Sequence, residues 1–170
     1  MESEDAKEIY AHFGRAMYFT NCLEHSIVNA LCLLSLLPNR EVYSSRKEWE
    51  NLIDHHYEES FKKCFGALKN QLKSHPDPFP SLLAIIPDLE KCVEERNFLA
   101  HRFYREYAQH WFSTKGRKEM VKKLEAASEL FNTTDEKLED ALKPITEKYG
   151  ITEEILQKYY SEMQEEAENY

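Results

Sequence analysis

The stretch Glu95-Arg96-Asn97-Phe98-Leu99-Ala100-His101-Arg102-Phe103-Tyr104-Arg105 interrupts an apolar helical stripe with groups that bind phosphate and move protons. Imidazole titrates nearest to neutral pH and so serves as a general acid or base. Guanidinium presents a rigid fork of donors that matches phosphate oxygens. On a helix, Asn97 and His101 are one turn apart and share a face. Arg96 and His101 differ by about 140°, so they flank a cleft without stacking. Tyr104 and Arg105 are expected one turn beyond. The constellation is therefore an imidazole with an amide below it, a phenol and a guanidinium above it, and a second guanidinium to one side. From the residues alone it reads in two ways: a phosphate-handling site, or a hydrogen-bonded network that fixes helix packing.

Charge favours the first reading. The chain has 22 basic and 31 acidic residues, a net −9, which excludes indiscriminate coating of nucleic acid by the whole surface. Between Lys91 and Lys123 there are nine bases and four acids, +5, which leaves −14 for the remainder. One electropositive patch on an acidic body is the pattern of a restricted phosphate-binding footprint. Arg102, Arg105 and Tyr104 are the candidate phosphate and RNA contacts within it. Trp111, Phe112, Tyr104 and Tyr107 lie close enough in sequence to stack bases, although aromatics at such spacing more often pack a core.

Other chemistries lack an anchor. None of the seven histidines has a Glu three residues before it, so the paired carboxylate–imidazole spacing of a di-iron bundle is missing. His55 and His56 sit beside acids, but neighbours on a helix diverge by about 100°, and His55 with Glu59 reads as a surface pair rather than a metal site. No metal and no cofactor are expected. Phosphate-loop, dinucleotide-binding and nucleophile-elbow glycine patterns are absent. Cys22, Cys32, Cys64 and Cys92 form no CxxC pair and fall within apolar patterns, which reads as buried reduced thiols.

The elements that must position these groups are helical. Four Gly and six Pro in 170 residues are too few for the many tight turns of a β-sandwich or barrel. A 42% apolar share is enough to close a core. The periodicity predicts a helix from about Ser3 to Leu37, ended by Pro38-Asn39. A second runs from a cap at Ser44 or Ser45 through Leu72, with Cys64 on its stripe. Prolines at 76, 78 and 80 break the chain. A third helix starts at Pro87 and continues through Tyr107. After the punctuation at Ser113–Gly116 comes a long pattern to Ile145, with a break offered by a capping box at Thr133 and Glu136 and a kink at Pro144. Thr152 starts a last amphipathic helix. The architecture expected is all-α: a single up-and-down bundle of four to five long helices over residues 1–170, with 150–170 an acidic C-terminal helix. No run of 18 apolar residues and no basic, apolar leader is seen, so the chain is expected in the cytoplasm and off the membrane.

Arg96-Asn97-Phe98-Leu99-Ala100-His101 resembles the Arg-polar-x-x-x-His motif of HEPN domains, short all-α bundles of bacterial toxins, phage-defence proteins and RNA-processing enzymes. The motif falls late in a long helix of the second half, as in that family. The first helix, with Gly14, Asn21, Glu24 and Asn29, is similar to HEPN-like proteins as well. The resemblance implies a metal-independent endoribonuclease, a toxin or defence effector, working as a homodimer in which two motifs meet in one cleft. It implies that His101 acts as general acid or base on the ribose 2′-hydroxyl, that Arg96 binds the scissile phosphate, and that Asn97 orients the imidazole or contacts phosphate. Glu24 or Asn21 would support the site from the first helix. The implied partners are RNA, a second copy, and a cognate antitoxin or nucleotidyltransferase. Members silenced by a nucleotidyltransferase carry Arg-x4-His-x-Tyr; here Phe103 holds that position and the tyrosine follows one later, as Tyr104. A non-catalytic HEPN module that binds RNA, a nucleotide or a protein is the alternative.

Overall fold

The computed structural model describes residues 4–42, 45–75 and 79–169. Ser3, Ser44, Pro76 and Pro78, expected to supply a helix start, an alternative cap and part of a break, lie outside the described residues. Every regular element within them is helical: α1 (Glu4–Leu36), α2 (Arg46–Phe61), α3 (Phe65–Lys73), α4 (Pro80–His101), α5 (Phe103–Glu106), α6 (Thr114–Lys148) and α7 (Glu153–Glu168). Short 3-10 turns cover Leu37–Val42 and His110–Phe112. The fold is all-α, with seven α-helices among the described residues where four to five long ones were expected.

The core is a seam between α1 and α6. On α6 the buried side chains Met120, Leu124, Ala127, Phe131, Leu138, Leu142 and Ile145 recur at three- and four-residue steps. They meet Ile9, Ala16, Leu23, Ile27, Leu31 and Leu34 of α1, nearly all of them removed from water. Repeats of this kind keep one face against a partner helix over many turns. At about 1.5 Å per residue, helices of 33 and 35 residues each run about 50 Å. Arg117 of α6 donates from Nη2 to Asp5 of α1 at 2.9 Å and from Nη1 to the Trp111 carbonyl at 2.9 Å. That contact places the first turns of α1 and α6 together, so the two helices are parallel. α4 runs the other way: Ser81, near its start, donates to the Ala141 carbonyl, and Glu95, near its end, meets Lys123. Consequently His101 and the start of α6 share one end of the molecule, and α7 leaves from the opposite end.

Several boundaries differ from the sequence expectation. The second helix is two. Lys62–Cys64 separates α2 from α3, and the bend lets Phe65, Leu68 and Leu72 bury, whereas α2 buries only Ser60. Cys64 is exposed in that bend, Cys22 and Cys32 are half-buried, and only Cys92 is fully interior. The Cys92 thiol donates to Thr134 Oγ1 at 3.4 Å, and burial pushes its pKa up to about 11. α4 begins at Pro80, not Pro87; Pro87 is inside the helix on its exposed side, where the carbonyl its missing N–H leaves free can be hydrated. α6 is continuous through Thr133, whose hydroxyl bonds Glu129 at 3.3 Å within the helix instead of capping a new one. Pro144 likewise lies within α6. Caps at Ser45, Ser113 and Thr152 accept from Glu48, Gly116 and Ile155 backbone N–H groups. By length and composition, Glu4–Val42 would also be apolar enough to cross a membrane. Its apolar stripe is the one that packs against α6.

Gly116 lies where the chain entering α6 crosses back over its first turn. A Cβ there would stand 2.2 Å from the His110 carbonyl oxygen, whereas one at Gly14, mid-helix, would meet nothing within 4 Å. The expected outcome is of opposite sign. Gly116→Ala lowers stability by about 1–3 kcal/mol through overpacking, and Gly14→Ala raises it by up to about 1 kcal/mol through helix propensity. Thermal melting of the two variants checks both.

Candidate functional site

The site exists because α4 stops at His101. Arg102 leaves helical geometry at φ −127°, ψ −25°, and its N–H still bonds the Phe98 carbonyl. The turn drops Phe103 into the core, fully buried, stacked on Tyr107 with ring centroids 5.0 Å apart and close to Phe13 and Phe98. An uninterrupted helix would have carried that ring past its pocket. The stop leaves His101 at an exposed helix end.

Glu94, Asn97, His101 and Arg102 line a shallow depression open to solvent. Asn97 and His101 come together as their spacing predicts. Glu94 was not foreseen, yet its offsets of three from Asn97 and seven from His101 put it on the same face. The Arg102 guanidinium lies over the Phe98 ring at 5.3 Å and reaches Glu106 at 3.8 Å. Lys123 Nζ lies 5.0 Å from the same ring and 2.7 Å from Glu95. Phe98 thus holds two cations beside the depression.

Arg96 is placed differently from the sequence expectation. Its Nε is 3.7 Å from Glu24 Oε1 of α1, its Nη1 donates to Asn97 Oδ1 at 3.2 Å, and it does not line the depression. Glu24 therefore does reach the motif, through this ion pair. Burial holds the Glu24 carboxyl above its ordinary range, and the positive charges of Arg96 and His25 draw it part of the way back. Asn21 is exposed on α1 and lines no part of the depression. Asn29 serves packing, accepting from the Tyr57 hydroxyl of α2.

Tyr104 and Arg105 do not stack one turn above His101, because the helix has ended. Tyr104 turns toward α1, 5.3 Å from the Phe13 ring, and burial raises its phenol. Arg105 points to solvent on α5. Of the other aromatics, Tyr107 and Trp111 pack against the core, while Phe112 is 85% exposed.

The +5 patch is partly neutralised. Lys91 pairs with Asp88, Arg96 with Glu24, Arg102 with Glu106, Arg117 with Asp5 and Lys123 with Glu95. Arg105, Lys115, Lys118 and Lys122 have no ion pair among the described residues, and the three lysines share one exposed face of the first turns of α6. Bases there oppose the helix dipole, which favours acids at an N-terminus. Among the described residues no three His, Cys, Asp or Glu side chains gather as metal ligands. No family model, curated protein or solved structure matches the chain.

The Glu24–Arg96 pair has a testable signature. A carboxyl whose pKa is raised by folding binds its proton more tightly in the folded state, so stability falls as pH rises through its titration. Arg96 offsets that cost. In Arg96→Met the melting temperature should fall further below wild type as pH rises from about 4.3, the ordinary glutamate value, toward neutrality. Adding Glu24→Gln should remove the extra pH dependence; melting curves across that range read both.

Proposed function

We propose that the protein is a metal-independent endoribonuclease of HEPN type, acting as a toxin or phage-defence effector in the cytoplasm. The observation that carries this reading is an exposed His101 beside Asn97 in an open depression, at the end of the molecule where the unpaired bases Arg105, Lys115, Lys118 and Lys122 collect. An imidazole kept only to fix packing would be interior and hydrogen-bonded.

In the proposed reaction His101 takes the proton of a ribose 2′-hydroxyl, and the 2′-oxygen attacks the adjacent phosphorus. The 5′-oxygen leaves with a proton, giving a 2′,3′-cyclic phosphate and a 5′-hydroxyl. The attacking 2′-oxygen and the leaving 5′-oxygen lie on opposite sides of the phosphorus, so one imidazole does not reach both, and a second copy's motif would supply the second group in a homodimer. Arg96 binds the phosphate by exchanging Glu24 for it, and charge building on the phosphoryl oxygens makes that exchange more favourable in the transition state. Asn97, whose Oδ1 accepts from Arg96, lines the depression and would orient the imidazole or contact phosphate. Arg102 and Arg105 follow the RNA backbone, and exposed Tyr104 and Phe112 offer faces to bases. A cognate antitoxin or nucleotidyltransferase would restrain such an activity.

A second reading has its own support. Arg96 is engaged by Glu24 and does not line the depression, which favours a HEPN module that binds RNA, a nucleotide or a protein without cutting.

The test is cleavage of end-labelled RNA in EDTA. Wild type should release cyclic-phosphate products, and His101→Ala should lower the rate by about 10² to 10⁴, the usual worth of a general acid or base. Retained RNA binding with no cleavage at any protein concentration selects the binding module. Undiminished cleavage in both His101→Ala and Arg96→Ala overturns the mechanism.

A further inference from the structure

α7 is an amphipathic helix whose apolar side none of the described residues buries. Ile155, Leu156, Tyr159, Tyr160 and Met163 fall within about 140° of helical arc. No residue of α7 is buried, and Tyr159 and Tyr160 are 59% and 61% exposed. Five large apolar side chains on one exposed helix face mark an interaction surface. The rest of α7 is acidic: Glu153, Glu154, Glu162, Glu165, Glu166 and Glu168 against Lys158, a net −5. That charge disfavours α7 against another α7 and calls for a basic face with an apolar element.

The chain carries one. Lys115, Lys118 and Lys122 line one exposed face of α6, free of ion pairs among the described residues; Glu119, the acid among them, lies 3.4 Å from His110, and Phe112, 85% exposed, stands just before them. We infer that α7 of one copy docks on the Phe112–Lys122 face of a second copy.

Reach decides between the same chain and another. Lys122 is 26 residues from Lys148, where α6 ends, which is about 39 Å of helix. Folded back along α6, the 16 residues of α7 extend only about 24 Å. α7 cannot meet its own lysines. Two copies set with their α6 helices antiparallel bring the basic face of each to the end of the other from which α7 leaves, a closed two-fold arrangement with two identical contacts. The contact also lies at the His101 end of the partner, so α7 would cover the bases beside that depression. This pairing sets the two His101 depressions at opposite ends of the pair, so it is a contact separate from the one that would bring two motifs into one cleft, and it does not depend on the ribonuclease reading.

The experiment is sedimentation of the full chain at about 50 μM in low salt, where screening is weak. Wild type should be a dimer. Leu156→Gln with Tyr160→Gln, or Lys115→Glu with Lys118→Glu and Lys122→Glu, should each weaken dimerisation at least tenfold. All these side chains are exposed, so circular dichroism should stay at the wild-type level. Adding Glu162→Lys, Glu165→Lys and Glu166→Lys to the lysine-reversed chain should restore the dimer. A zero-length carbodiimide cross-linker on mixed light and heavy-isotope copies should join Lys115, Lys118 or Lys122 of one to an α7 glutamate of the other. A monomeric wild type, a dimer indifferent to both sets of substitutions, or cross-links confined to single copies would overturn the pairing. RNA cleavage by His101 is scored in a separate assay, so failure of the pairing and failure of the ribonuclease reading are distinguishable.

Discussion

The parallel seam of α1 and α6 is the constraint on which the remaining structure depends. It places about 50 Å of apolar stripe from each helix face to face, and the Arg117 guanidinium, bonded to Asp5 and to the Trp111 carbonyl, sets its register at one end. α4 runs against both and lays its stripe of Leu82, Ile85, Leu89, Cys92 and Leu99 into the core beside α6. That direction brings the end of α4 to the Arg117 end of the seam. The juxtaposition of His101 with the first-turn lysines of α6 follows from core packing.

Local chemistry then shapes what the seam has delivered. The stop after His101 buries Phe103, and the ring is surrounded by Phe13, Phe98, Tyr104 and Tyr107. The aromatic cluster under the turn and the polar depression above it are two sides of one backbone event. On the far side of α4, the half-buried pair of Glu24 and Arg96 ties the motif to α1. An ion pair between partly covered groups gives little net stability, but it decides which way Arg96 faces.

Much of this was legible in the residues. Periodicity exposed the stripes of α1 and α6 because helix–helix burial writes a repeat of three and four directly into composition. The helix starts at Ser45 and Thr152 were readable for the same local reason, as was the shared face of Asn97 and His101, while Ser113 was read as part of a break and not as a cap. What escaped was set by tertiary contacts. The stop at Arg102 follows from a pocket for Phe103 that Phe13 closes from 90 residues earlier in the chain, and no nearby Gly or Pro announces it. Pro87 looked like a helix start because its tolerance within a helix depends on which side meets water. The rotation of Arg96 toward Glu24 depends on a residue 72 positions earlier in the chain. Glu94 was within reach of the spacing argument, since offsets of three and seven signal a common face.

α2 is held to the molecule by less than its neighbours. It buries one side chain, Ser60, and its contacts with α1 include the Tyr57 bond to Asn29 and the packing of Phe61 on His25. A helix with so little interior surface detaches at a free-energy cost well below that of global unfolding. Its amides should therefore exchange hydrogen long before those of the α1–α6 seam. Beneath it lies Cys32, whose thiol is held above its ordinary range by burial. Each transient lifting of α2 hydrates that thiol and returns it toward the range in which thiolate forms at mildly alkaline pH. The breathing of one poorly anchored helix is thereby coupled to how readily the half-buried Cys32 thiol meets an oxidant or alkylating agent.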